Sequence, residues 1–248
     1  MVFIDIHSHV FSNKEKEIPE MIEKARRARV EFILDNGLNP ESNKRVLELA
    51  KKYFELKPCL GMYPSDAIDL SREELEKALD FIKEHKNEIY AIGEVGLDLK
   101  ELDSLEGQEK IFRKMVELAI ELDKPLIIHS RKAEKRAIEI LGEYNYKKII
   151  MHCFCGKLKL VKRILEKGWF ISIPTSVKKS EQFQEIVKIA PLEKLFCETD
   201  SPYLHPDRKF PNHPAKVIES YKKIADIKKI SLKEVEERIE DNFKKLFA

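Results

Sequence analysis

Short apolar runs alternate with charged amphipathic segments along the whole chain, and this alternation restricts the fold more than any other feature. Each run is β-branched and nearly continuous, as in strands buried on both faces of a parallel sheet. The pattern predicts eight strands, near residues 2–6, 31–35, 57–61, 90–94, 125–129, 148–153, 169–173 and 195–199. Helical spacing predicts helices near 18–28, 41–54, 71–86, 107–122, 132–142, 157–167, 180–189 and 213–227, and a last one from Leu232 to Phe247.

Eight strand–helix units favour a parallel sheet closed into a (β/α)8 TIM-type barrel over an open doubly wound sheet. The length of 248 residues suits one such barrel. The sequence contains no low-complexity segment and no recognisable interdomain linker. We therefore predict a single α/β domain over residues 1–248.

The composition narrows the functional classes. With 46 basic and 44 acidic residues, the net charge of +2 excludes the strongly basic footprint of a bulk nucleic-acid binder, but not an enzyme that grips one strand locally. No stretch is apolar enough to span a membrane, so we predict a cytoplasmic protein, with no obligate protein partner evident. The cysteines lack the spacing of a structural zinc module and are expected to be buried, reduced thiols: Cys59, Cys153, Cys155 and Cys197.

Six side chains of the types that bind metals close the apolar runs. They are His7, His9, Glu94, His129, His152 and Asp200. Because the carboxyl ends of the strands meet at one end of a barrel, we expect these side chains to converge there, from strands one, four, five, six and eight. Four histidines and two carboxylates exceed what one four-coordinate zinc requires, so two divalent ions are predicted. Zinc, manganese, cobalt, nickel and magnesium all remain possible.

The first strand carries Asp5, His7 and His9, which alternate and so share one face. A histidine pair at this spacing is weak evidence alone, but its companions strengthen it. Asp5 is expected to orient a histidine N–H.

Glu94 lies between Gly93 and Gly96, and these glycines are expected to allow a sharp exit from the strand and a close approach of backbone to the site. The two oxygens of Glu94 can bridge two cations. Asp98 either orients a ligand or caps a turn, and Glu198 either supports a ligand or faces another partner. The sequence alone leaves both questions open.

Arg131 is a candidate substrate contact, since it follows His129 and suits an anionic oxygen. The catalytic residues are predicted to be Asp200, as the general base that accepts a proton from a metal-activated water, and Glu94.

The ordered motifs resemble those of the TatD family of metal-dependent deoxyribonucleases, within the amidohydrolase-type barrels. The motifs are Asp5-Ile6-His7-Ser8-His9, Gly93-Glu94-Val95-Gly96-Leu97-Asp98, Ile128-His129-Ser130-Arg131, His152-Cys153-Phe154 and Glu198-Thr199-Asp200-Ser201-Pro202-Tyr203. The resemblance implies a TIM-type barrel that hydrolyses phosphodiesters in DNA. By motif position, one metal would be held by His7, His9, Glu94 and Asp200, and the other by Glu94, His129 and His152.

The chain departs from the family pattern in two places. Tyr63, in Gly61-Met62-Tyr63-Pro64, stands where the family usually has a histidine near the substrate. The resemblance therefore implies that Tyr63 is a substrate contact, which can hydrogen-bond a phosphate oxygen but carries no positive charge. The segment after Leu97-Asp98 is short and lacks the aromatic residues often found there, so base-stacking groups are not evident in the sequence.

The candidate ligands predict a metal-dependent hydrolase. The resemblance implies that it acts on phosphodiester bonds, as a DNase of the 3′–5′ exonuclease type or a general DNase, with nucleic acid as its substrate. Basic residues in segments after strands would make the mouth locally positive: Arg131, Lys132, Lys157, Lys178, Lys179, Arg208 and Lys209. One alternative is a hydrolase of a lactone, cyclic amide or small phosphoester. Such barrels often bridge their metals with a carboxylated lysine, so Glu94 argues for the nuclease. The other alternative is a barrel that binds metal without catalysis.

Overall fold

Eight parallel strands form one sheet in which every strand pairs with the next along the chain. The computed structural model describes residues 2–247. The strands are β1 (Phe3–Ser8), β2 (Val30–Asn36), β3 (Leu56–Met62), β4 (Ala91–Asp98), β5 (Leu126–Arg131), β6 (Ile149–Met151), β7 (Phe170–Pro174) and β8 (Leu195–Glu198). All eight predicted strands are thus confirmed, and so is the (β/α)8 barrel.

Helices cover the outside of the sheet. They are α1 (Ile18–Arg27), α2 (Pro40–Lys52), α3 (Pro64–Ile68), α4 (Arg72–Glu84), α5 (Glu106–Glu121), α6 (Glu134–Leu141), α7 (Leu158–Glu166), α8 (Glu181–Ile189), α9 (Ile218–Lys228) and α10 (Leu232–Phe247). Helix α3 was not predicted, because five residues give no readable helical period. Helix α9 begins later than predicted, since a 3-10 turn at Pro214–Val217 precedes it.

Hydrogen bonds at the carboxyl end join the last strand to the first. The Asp200 amide donates to the His7 carbonyl at 3.0 Å, and the His9 amide donates to the Ser201 carbonyl at 2.8 Å. We call this junction between β8 and β1 the seam. The Asp5 carboxylate also contributes to the seam, because it accepts a hydrogen bond from the Thr199 amide at 2.8 Å. The seam that closes the barrel therefore runs through residues predicted to bind metal.

Three predicted ligands, His7, Glu94 and His129, lie within strands rather than after them. Strand β4 continues to Asp98 and β5 to Arg131, so the sharp exit expected after Glu94 is wrong. The register between these strands shifts between Ile92 and Val95, as it does at a β-bulge. Such an irregularity redirects a side chain without ending the strand.

The interior is apolar and the strands are buried along most of their lengths. Cys59 and Cys197 are buried as expected. Cys153 is only partly buried and Cys155 is exposed, so the prediction of four buried thiols is wrong for these two residues. Among the helices of residues 2–247, none has the length and apolar character that a bilayer crossing requires.

Candidate metal centre

Four donor atoms face one another at the carboxyl end of the barrel. Nε2 of His7 lies 3.1 Å from Nε2 of His9 and 3.3 Å from Oε2 of Glu94. Oε2 of Glu94 is 3.4 Å from Nε2 of His9. Oδ1 of Asp200 lies 3.6 Å from the His7 nitrogen and 3.5 Å from the His9 nitrogen. The sequence reasoning placed these side chains together, and the fold brings them together.

The spacing of these atoms matches a ligand shell. Donors held at about 2.0–2.2 Å from a common ion lie about 3.0–3.5 Å from one another in tetrahedral or octahedral geometry. The distances of 3.1 to 3.6 Å fall close to that range. Imidazole nitrogen with carboxylate oxygen suits zinc, manganese, cobalt and nickel. The residues present therefore fit a divalent cation at this point.

The other oxygen of Glu94 faces a second group of donors. Oε1 lies 2.7 Å from Nδ1 of His129 and 3.3 Å from Nε2 of His152. His7, Glu94 and His152 also offer ligand atoms within 4.8 Å of one another. Glu94 thus stands between two sets of nitrogens, the position that a bridging carboxylate would take.

In three of the four imidazoles, the ring nitrogen that points away from the other donors, here called the outer nitrogen, lies next to an oxygen atom. Nδ1 of His9 lies 2.9 Å from the Asn36 carbonyl, and Nδ1 of His152 lies 3.2 Å from Oε2 of Glu198. Nε2 of His129 lies 2.8 Å from Oδ2 of Asp98. An acceptor at the outer nitrogen fixes the proton there and leaves the inner lone pair free for a metal.

The structure decides the roles that the sequence left open. Asp98 does both things considered for it: Oδ2 faces His129, while Oδ1 accepts from the amides of Lys100 at 2.6 Å and Glu101 at 3.0 Å. Glu198 supports His152. Asp5 does not reach an imidazole nitrogen, and the expectation that it orients one is wrong. It accepts from the backbone of His7 and Thr199 because it faces the seam.

The buried imidazoles and carboxylates of the centre shift one another's pKa values. Burial alone would lower the pKa of His9, but its hydrogen bond to Asp200 and the charge of Glu94 raise that pKa to about 9. Burial opposes ionisation of Glu94, yet the charges of His152 and His7 hold its pKa well below the usual value. The proton on His9 lies beside the ionised carboxylate of Glu94, and a divalent ion could replace that proton.

The centre opens into a cleft of about 670 Å³. Tyr63 and Arg131, the two candidate substrate contacts, line this cleft, and Arg131 is exposed. The Tyr63 hydroxyl donates to Oδ2 of Asp98 at 2.9 Å and lies 3.3 Å from Nε2 of His129. Tyr63 therefore contacts the group that orients a candidate ligand, a role that the sequence did not indicate.

One predicted basic residue is already paired. Lys178 lies 2.9 Å from Asp207 and 3.3 Å from Glu219, so it is not free to meet a substrate. The other basic residues expected near the mouth have exposed side chains: Arg131, Lys132, Lys157, Lys179, Arg208 and Lys209.

Sequence reasoning missed two exposed aromatic rings on the loop after β8. Tyr203 is 58% exposed and lines the cleft, and Phe210 is 73% exposed. Their ring centroids are 6.4 Å apart. A Pro-rich loop has no periodicity that would mark its aromatic residues as exposed. The sequence therefore indicated Tyr203 only as part of a motif and did not indicate Phe210.

Comparisons with known proteins agree over the full length. The family model described as TatD related DNase matches residues 4–248. An uncharacterized metal-dependent hydrolase of Methanocaldococcus jannaschii, MJ1582, is 37% identical, and the match covers 99% of this chain and 96% of that protein. The human deoxyribonuclease TATDN3 is 32% identical, with coverage of 98% and 94%.

A solved structure shows the same architecture. The crystal structure of YJJV, a TatD homologue of Escherichia coli, superposes with a TM-score of 0.92 at 25% identity. That match covers 99% of this chain and 97% of the other.

Proposed function

From the premise that this chain belongs to the family of TatD-related DNases and is a metal-dependent hydrolase, we propose that it hydrolyses phosphodiester bonds of DNA. One observation carries the proposal: histidine and carboxylate donors from five strands meet around Glu94 at the floor of an open cleft. A relative named deoxyribonuclease supports DNA as the substrate.

The donors divide into two sets that share Glu94. His7, His9, Glu94 and Asp200 would hold one divalent ion, and Glu94, His129 and His152 would hold the other. When bound, two such ions act as Lewis acids that activate water and stabilise charge on both the attacking and leaving oxygens of a phosphodiester.

Asp200 suits the role of general base because of its position. Its side chain is 16% exposed, against 4% for Glu94, so of the two carboxylates among the candidate ligands Asp200 is the one that solvent in the cleft reaches better. Its hydrogen bond with His9 counts among the effects that hold the pKa of Asp200 below its ordinary value, against the effect of burial. The ionised carboxylate can therefore accept a proton from water at neutral pH. Glu94 would act by positioning both donor sets.

Arg131 and Tyr63 would hold the substrate. Arg131 is an exposed cation in the cleft wall, so it can pair with a phosphate oxygen. Burial and the charge of Glu94 raise the pKa of Tyr63, so its hydroxyl keeps its proton and acts only as a donor or a neutral acceptor. In the structure this hydroxyl already donates a hydrogen bond to Asp98.

The test is hydrolysis by protein that has been stripped with a chelator and reloaded separately with each candidate metal. Single-stranded DNA, RNA and a neutral lactone are offered side by side. We expect DNA cleavage that declines as salt rises, because phosphate contacts release counterions. Lactone hydrolysis without DNA cleavage in every metal form would contradict the proposal.

Asp200→Asn tests the general base. We expect the variant to fold and to lose about 10²–10⁴-fold in kcat on DNA. Asp226→Asn, at a side chain 70% exposed on α9, is the matched control and should keep full activity. Retained turnover in Asp200→Asn would remove that residue from the role.

A further inference from the structure

Two exposed aromatic rings stand together beside the metal centre. In the part of the chain between residues 2 and 247, three aromatic side chains are largely exposed, and two of them are Tyr203 and Phe210. Their centroids are 6.4 Å apart with an angle of 46° between the rings. Exposed aromatic surface of this kind is typical of binding sites rather than of inert loops.

Hydrogen bonds hold in place the loop after β8, which carries the two rings. Asn212 is fully buried. Its backbone N–H donates to the Pro202 carbonyl at 2.8 Å, and its side-chain amide donates to the Thr199 carbonyl at 3.0 Å. The Thr175 hydroxyl donates to the Leu204 carbonyl at 2.7 Å. These bonds fix the loop without using the rings, so the rings are presented to solvent on an ordered base.

The pair continues the wall of the cleft. Tyr203 lines the same cleft as Asp200 and Glu94, and its amide donates to the Asp200 carbonyl at 2.8 Å. Phe210 does not line the cleft itself and lies next to Tyr203 on the outside. A chain lying across Phe210 and Tyr203 would therefore lead directly to the candidate metal centre.

The charges on this loop favour a polyanion. Arg208 and Lys209 are exposed beside Phe210, and neither forms an ion pair with any residue of the described range 2–247. Aromatic rings next to free cations are the features with which proteins bind single strands, since each base offers a flat face and each linkage a negative charge. A base within a duplex is already stacked on its neighbours and presents only its edges.

We propose that Tyr203 and Phe210 form a stacking subsite for an unpaired base of the substrate strand. The proposal rests on the proposed phosphodiesterase function. It adds a binding site outside the metal ligands and assigns the direction from which the strand enters.

The test compares Phe210→Ala with Phe54→Ala in the metal-loaded protein. Phe54 is 79% exposed but precedes β3, at the opposite end of the barrel, so it controls for the loss of an exposed ring. On a single-stranded oligonucleotide we expect Phe210→Ala to raise KM by about 5- to 150-fold with little change in kcat. Phe210→Trp should restore KM, and Phe54→Ala should match the unmodified protein.

An oligonucleotide with abasic sites separates stacking from phosphate contacts. On that substrate the KM of Phe210→Ala should equal the KM of the unmodified protein, because no base is present to stack. An equal loss on the abasic strand, or equal behaviour of Phe210→Ala and Phe54→Ala, would overturn the subsite.

A binding measurement keeps this inference distinct from the proposed function. An oligonucleotide with a terminal 2-aminopurine should lose fluorescence on the metal-loaded protein and regain it with Phe210→Ala, whether or not it is cleaved. Quenching without cleavage of any strand would support the subsite while refuting the phosphodiesterase. Cleavage with no quenching, and no KM effect of Phe210→Ala, would do the reverse.

Discussion

At the scale of single residues, the neighbours of three of the four imidazoles decide which ring nitrogen is left for a metal. The Asn36 carbonyl and the carboxylates of Glu198 and Asp98 each face an outer ring nitrogen. Each of them lets the inner nitrogen keep its lone pair. The donors were readable in the sequence as residue types, but their tautomers depend on neighbours from other strands.

His152→Ala and His129→Ala should each reduce the metal content from two equivalents to one. Either change leaves only two of the three donors Glu94, His129 and His152, which is too few to hold an ion. The measurement is elemental analysis after reloading and desalting. His85→Ala is the control, since His85 contacts the carbonyl of Phe81 on α4, far from the centre in the fold. Two equivalents retained in either site variant would refute the assignment of that histidine.

At the scale of elements, the candidate centre depends on how closely β4 approaches its neighbours. A Cβ at Gly96 would lie 1.8 Å from the carbonyl oxygen of His129, and a Cβ at Gly61 would lie 2.4 Å from the amide nitrogen of Glu94. Strands β3, β4 and β5 can therefore pack at these points only because no side chain intervenes. The glycines serve the approach of strands that the sequence suggested, and not the strand exit.

Gly96→Ala should destabilise the fold by about 2–5 kcal/mol, because it adds a clash with backbone to a φ of +151°. Gly168→Ala is the matched control, since Gly168 has a φ of +80° but nothing within 4 Å of the added Cβ. That variant should lose only the conformational contribution, about 1 kcal/mol. Urea denaturation gives both values, and equal losses would contradict the argument from close approach.

At the scale of the whole molecule, the metal ligands and the closure of the barrel share the same residues. The backbone bonds between Asp200 and His7 and between His9 and Ser201 join the two ends of the sheet, and their side chains face the candidate centre. A cation bound there would connect β1 to β8 a second time. Metal binding should therefore stabilise the whole barrel and not only the cleft.

Removal of metal should lower Tm. A ligand present at 100 times its Kd stabilises the folded state by about 2.7 kcal/mol, which for a domain of this size corresponds to about 5–10 °C. Differential scanning calorimetry with chelator and with each reloaded metal measures the shift. In the variant with both His7 and His9 changed to Ala, the Tm values with chelator and with metal should differ much less. If chelator leaves the Tm of the unmodified protein unchanged, tight metal binding is contradicted.

The sequence by itself determined the barrel and the chemistry of its candidate donors. Apolar runs of strand length alternate with helical periods, and this local pattern is written in consecutive residues, so all eight strands could be predicted. The order of His7, Glu94, His129, His152 and Asp200 after such runs also placed them at one end, because parallel strands share their direction.

Only the tertiary structure decided how these residues meet. Asp5 facing Thr199 at the seam, Glu198 against His152, and Tyr203 beside Phe210 are each set by the relative position of elements that no local pattern fixes. The partner of a buried carboxylate or an exposed ring lies on another strand or across a loop. Its identity follows from packing in three dimensions and not from spacing along the chain.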